Sequence, residues 1–172
     1  GHDRKILLMC GLCGFIDVRA SGRAAEMEAV IRDMSETLRH RGPDGRDVWT
    51  DVEAGIALGH CRLAVIDPSE EGHQPMRSVC GRYVLVFNGE IYNFTALSRE
   101  LASRGHRFRG HCDTEVMLTA IRQWGVDGAL NRFNGMFAFA LWDRTERRLW
   151  LARDRLGEKP LYYGWLGSRF LF

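Results

Sequence analysis

Apolar positions recur with two periods along this chain, and the change of period separates strands from helices. Cys10 to Val18 is short, apolar and punctuated by glycine, which predicts a strand. Met27, Val30, Ile31, Met34 and Leu38 then fall three and four residues apart, marking one face of an amphipathic helix from about Ala24 to Leu38. His40-Arg41-Gly42-Pro43-Asp44-Gly45 ends it, because proline cannot continue a helix and glycine frees a turn. Strands are expected near 47–50 and 55–66, with a loop over 67–75. Tyr83-Val84-Leu85-Val86-Phe87 is β-rich, and Asn88-Gly89 behind it is a tight-turn signal, since both residues tolerate positive φ. Phe94, Leu97 and Leu101 suggest a second helix ended by Gly105. A third opens at Asp113-Thr114, with Asp113 as the expected N-cap and Val116, Met117, Ala120, Ile121 and Trp124 as its apolar face.

The last third changes character. Met136 to Trp142 is almost wholly apolar and aromatic, which suits a strand buried on both faces. Further strands are expected at Leu149–Ala152, Leu161–Trp165 and Arg169–Phe172, joined by short turns. Strands, then helices, then closely linked strands define an α+β class with antiparallel sheet. A doubly wound parallel fold needs a crossover helix between strands, and this region has no room for one.

Composition narrows the class further. The 172 residues suffice for one domain with a sizeable core. With 45% hydrophobic and 27% charged residues, the chain has a soluble globular profile. A net charge of +2 leaves no nucleic-acid footprint. No apolar run approaches the ~20 residues of a membrane span, and Ile6-Leu7-Leu8-Met9 is too short for a signal-peptide core. No membrane partner and a cytoplasmic location are therefore expected. Residues 1–8 look foreign to the rest of the chain and read as a tag or N-terminal extension; Gly1-His2 has the look of a protease scar. Met9 would be the natural start and 9–172 the domain. The chain stops inside its last expected strand, so a piece of a longer protein is expected.

Five cysteines, Cys10, Cys13, Cys61, Cys80 and Cys112, are an odd, scattered set that fits a reduced compartment. Cys10-Gly11-Leu12-Cys13 is formally a C-x-x-C. A redox role needs a helix start behind it, and zinc needs two more ligands at close spacing. Neither context is present, so no metal is expected. Two buried structural thiols would be the default. Cys10 is set apart by its place directly after Met9. Removing Met9 leaves one residue with a thiol and a free α-amine, whose ordinary pKa values are about 8.5 and about 7.7–8.0. Such an amine can accept the thiol proton and later return it to a leaving group.

Seven motifs then occur in order: Met9-Cys10-Gly11, Arg39-His40-Arg41-Gly42-Pro43-Asp44, His60-Cys61-Arg62-Leu63, Asn88-Gly89-Glu90-Ile91-Tyr92-Asn93, Asp113-Thr114-Glu115-Val116, Gly135-Met136-Phe137-Ala138-Phe139-Ala140 and Ala152-Arg153-Asp154-Arg155-Leu156-Gly157. Together they resemble the glutaminase domain of class II glutamine amidotransferases, in the asparagine synthetase branch. The resemblance implies the N-terminal-nucleophile hydrolase fold, an αββα sandwich of two antiparallel sheets between helical layers. It also implies an enzyme that hydrolyses glutamine to glutamate and ammonia through a Cys10 thioester. Asn88 and the Gly89 N–H would hold the oxyanion. Arg62 would grip the α-carboxylate of glutamine, with Leu63 and Val65 adding backbone contacts. Asp113 would bind the α-ammonium, assisted by Glu90. No cofactor is implied for this domain. ATP and magnesium would belong to a C-terminal synthetase domain, the implied partner that receives ammonia. The resemblance leaves a homodimer open.

Two departures qualify that expectation. Met9 and the residues before it precede Cys10, and while they stay attached the α-amine is an amide without basicity. The synthetase domain, with its pyrophosphate loop, has no counterpart here. A catalytically silent docking module of the same fold is the first alternative, and a C-x-x-C redox or zinc domain the second.

Overall fold

Burial is nearly continuous along the central strands, because each sheet is covered on both faces. The structure, a computed structural model, describes residues 9–20, 22–63 and 72–172. The strands are β1 (Gly11–Ile16), β2 (Gly45–Asp51), β3 (Ile56–Arg62), β4 (Met76–Arg77), β5 (Tyr83–Ile91), β6 (Gly135–Asp143), β7 (Arg148–Arg153), β8 (Gly164–Leu166) and β9 (Arg169–Leu171). The helices are α1 (Ala24–Thr37), α2 (Phe94–Ser103) and α3 (Asp113–Leu130). One sheet runs β2-β3-β1-β9-β8 and the other β4-β5-β6-β7. Every pairing in them is antiparallel.

In β5, Val84 and Val86 point one way and Leu85 and Phe87 the other, as the two-residue period of a strand requires. The first pair meets Ile56 and Leu58 of β3 and Ala140 and Trp142 of β6, and so fills the space between the sheets. The second pair packs with Phe139 and Leu141 under Leu97, Leu101, Met117 and Ile121 of α2 and α3. On the opposite side, Met27 and Ile31 of α1 cover Cys13, Phe15 and Ala57. The order of layers is therefore helix, sheet, sheet, helix, the αββα sandwich expected from the motifs. Each fully buried Leu, Ile or Val contributes about 1.5–3 kcal/mol of transfer free energy.

The structure corrects several expectations. Asn88-Gly89 makes no turn, because β5 runs through both to Ile91, with Gly89 opposite Phe137. Gly89 has φ 152°, and an added Cβ would lie 2.1 Å from the Met136 carbonyl oxygen, so the close approach of β6 demands glycine. Asp113 is not the N-cap of α3. Cys112 holds that position without a side-chain hydrogen bond, and the Asp113 carboxylate reaches across to β5 instead. The strand expected at Leu161–Trp165 forms only at Gly164–Leu166. The expected strand over 55–66 ends at Arg62, and its residues 64–66 lie outside the described residues.

Candidate functional site

Cys10 stands immediately before β1, the middle strand of the first sheet. Strand geometry sends residues three apart to opposite sides, so the two thiols of Cys10-x-x-Cys13 do not face each other. Cys13 lies under α1 with Phe15, its thiol 3.6 Å from Ser35 Oγ, and burial pushes its pKa up to about 11. The Cys10 thiol instead meets the end of β3. It accepts the Leu63 N–H at 3.3 Å and faces the Leu63 carbonyl at 3.6 Å. Burial raises its pKa, opposed by the Leu63 N–H and the charge of Arg62. The thiol is thus protonated near neutrality, and a reaction through the thiolate needs a base.

Three further segments fix this corner. The turn after α1 presses onto β3, where a Cβ on Gly42 would lie 2.4 Å from the Cys61 backbone. That turn aims Arg41 Nε at the Cys10 carbonyl oxygen, at 3.2 Å. Arg62, the last residue of β3, is 9% exposed. At the start of α3, Asp113 is 6% exposed and accepts the Ile91 N–H at 3.1 Å. Burial raises its pKa, and the neighbouring Glu90 carboxylate adds to the rise. A buried carboxylate in that condition gains from an arriving cation.

A cavity of about 380 Å³ opens beside the nucleophile candidate, lined by Cys10, Leu12, Leu38, Arg41, Asn88 and Tyr162 among others. Asn88 is buried, and within the described residues no hydrogen bond occupies its side-chain amide. The structure thus gathers Cys10, Arg62 and Leu63 at one point and places Asn88 on the same cavity as Cys10. Gly89 and Glu90 come directly after Asn88 on β5, and Asp113 is tied to Ile91 at the end of that strand. Val65 lies outside the described residues.

Sequence reading missed Arg41 as a clamp on the Cys10 backbone, treating its motif only as a turn. It also placed Gln74 only within the loop over 67–75. Gln74 is buried, accepts the Phe87 N–H at 2.6 Å and donates to Thr114 Oγ1 at 3.4 Å, tying β5 to α3. Asp154, from the last of the seven motifs, is a buried turn acceptor for the N–H groups of Phe137, Glu158 and Lys159. No group of three or more metal-ligating side chains occurs among the described residues. No helix among them is long and apolar enough to cross a membrane.

An antiparallel αββα sandwich with a thiol at the start of a central strand is the architecture of N-terminal-nucleophile amidotransferases. Residues 9–172 match the family model for the glutamine amidotransferase domain, and the chain belongs to that family. It is 42% identical over 166 residues to asparagine synthetase [glutamine-hydrolyzing] 3 of Bacillus subtilis, covering 95% of this chain and 26% of that protein. It is 37% identical over 164 residues to asparagine synthetase [glutamine-hydrolyzing] 1 of the same organism, covering 95% and 25%. The chain thus spans about a quarter of the length of these relatives. Its fold is similar to that of glutamine phosphoribosylpyrophosphate amidotransferase from B. subtilis, with TM-score 0.71 and 23% identity over 93% of this chain and 40% of that one. The resemblance to the asparagine synthetase branch, drawn from seven motifs, is borne out.

Proposed function

We propose that this chain hydrolyses glutamine to glutamate and ammonia through an N-terminal Cys10. The observation that carries the reading is the Cys10 thiol held by Leu63 beside Arg62, on a cavity it shares with the Asn88 amide, which no hydrogen bond occupies among the described residues. With Met9 removed, the α-amine takes the thiol proton while sulfur attacks the side-chain amide carbon. The Asn88 amide and Gly89 N–H receive the oxyanion. The protonated amine returns its proton to the departing nitrogen, leaving ammonia and a γ-glutamyl thioester. Water then cleaves the thioester to glutamate and regenerates the thiol. Arg62 matches the α-carboxylate of glutamine as a planar guanidinium does, Leu63 and Val65 add backbone contacts, and Asp113 with Glu90 receives the α-ammonium.

On this reading ammonia passes to a synthetase domain outside this chain, which would use ATP and magnesium. The acceptor is a carboxylate, with aspartate favoured by the relatives' names.

Intact mass and a glutamine-to-glutamate assay on one sample test this. A chain that begins at Cys10 is expected to release ammonia, and Cys10→Ala to abolish the release. Full activity from a chain that retains Gly1 would overturn the free-amine mechanism.

A further inference from the structure

Cys10 is approached by more than one cation, and they address different atoms. Arg62 acts on the thiol. Lys159, in the turn after β7, points elsewhere: its ammonium lies 2.9 Å from Sδ of Met9, the residue bonded to the Cys10 nitrogen. Lys159 is 6% exposed. Within the described residues that thioether is the only acceptor its ammonium meets. An ammonium carries three donors, and a thioether is a weak acceptor. A charge buried with so poor a partner is costly, and such a cost is kept where the charge has a use.

The turn that carries it is rigid. Asp154 Oδ2 accepts the Lys159 N–H at 3.0 Å, Asp154 Oδ1 accepts the Glu158 N–H at 2.8 Å, and Asp154 N donates to the Phe137 carbonyl at 2.7 Å. The backbone that carries Lys159 is therefore anchored to β6 and the end of β7, in the sheet opposite the one that holds β1.

We propose that Lys159 is a positioning residue for the Cys10 α-amine: with Met9 gone, its ammonium faces that amine and holds it in the unprotonated form that accepts the thiol proton. This rests on the N-terminal-nucleophile reading above. An ordinary α-amine, with a pKa of about 7.7–8.0, is mostly protonated at neutral pH and useless as a base. A like charge nearby disfavours the protonated form. The other charged and titratable groups at this corner are Arg41 from the turn after α1, Arg62 and Cys61 from β3, Glu90 from β5, Asp113 from α3, Asp154 and Glu158 from the turn that carries Lys159, Tyr162 on the cavity wall, and the Cys10 thiol. Arg41 and Arg62 act in the same direction as Lys159, and the carboxylates of Asp113, Glu90, Asp154 and Glu158 in the opposite one. All of them stay in place when Lys159 alone is changed.

The test uses the chain beginning at Cys10, verified by intact mass, with kcat/KM for glutamine measured against pH. In Lys159→Met the acidic limb is expected to move up by about one pH unit while the alkaline plateau holds. Lys159→Arg, which restores the charge, is expected to return the limb. A Lys159→Met limb that coincides with the unsubstituted one, or a lowered plateau with an unmoved limb, overturns the proposal. Should Lys159→Met fold poorly, the α-amine is titrated by nitrogen NMR in Cys10→Ser, with and without Lys159→Gln. An amine that titrates at the same pH in both is equally decisive against it. Activity that survives Cys10→Ala would instead bring down the nucleophile reading itself, whatever the limb does.

Discussion

At the scale of the residue, the corner around Cys10 holds some polar groups occupied by neighbours and others not, and the proposed mechanism turns on that difference. The Cys10 thiol and carbonyl and the Asp113 carboxylate are all engaged by neighbours. The buried Asn88 amide is not engaged among the described residues, so it is available to a charge that appears only during reaction. Removing one such donor costs about 10²–10³ in kcat in a known oxyanion hole. Asn88→Ala is expected to lose that much glutaminase turnover while its circular dichroism and melting temperature stay close to those of the parent. The resemblance named Asn88, and the structure places it on the cavity beside Cys10, but its neighbour misled. Asn-Gly signals a turn because both residues tolerate positive φ, and nothing local reveals that the Met136 carbonyl on β6 needs the same freedom inside a strand.

At the scale of the element, the two sheets are joined by a polar tie as well as by apolar packing. His60 of β3 is buried, with Nε2 3.0 Å from the Phe87 carbonyl of β5, and its Nδ1 has no partner among the described residues. Burial lowers its pKa from 6.5 to about 4, opposed by the Phe87 carbonyl. Linkage fixes the sign: the unfolded chain binds this proton below about pH 6.5, and the folded one only near 4. Stability is thus intact above about pH 6.5 and is lost as pH falls towards 4, by up to about 3 kcal/mol. Denaturant titrations at neutral and mildly acidic pH are expected to show this slope and His60→Gln to flatten it; equal slopes would reject the assignment. Periodicity located most elements because helix and strand faces differ in period. It missed β4, whose two residues are too few to show any period.

At the scale of the whole molecule, the α+β class and the antiparallel sheets were legible because short links permit little else. The order of strands was not. β1 pairs with β3 on one side and β9 on the other, and Phe172 exchanges both backbone hydrogen bonds with Gly14, at 2.9 and 3.0 Å. No local signal announces a partner so distant in sequence. Deleting residues 164–172 removes β8 and β9 and strips β1 of one neighbour. The shortened chain is expected to lose cooperative unfolding and glutaminase activity together, as thermal melts and the glutamate assay would show.

The pairing of β1 with β9 also sets a schedule. A ribosome releases β1 well before β9, and synthesis runs at roughly 5–20 residues per second. For several seconds the nascent chain carries its prospective nucleophile on a strand with one flank open. Trimming of the residues ahead of Cys10 can begin in that interval, but assembly of the chemistry cannot. On the proposed N-terminal mechanism, the bond ahead of Cys10 is thus open to cleavage while the domain is still being made, and the chemistry is complete only once β9 has closed the sheet.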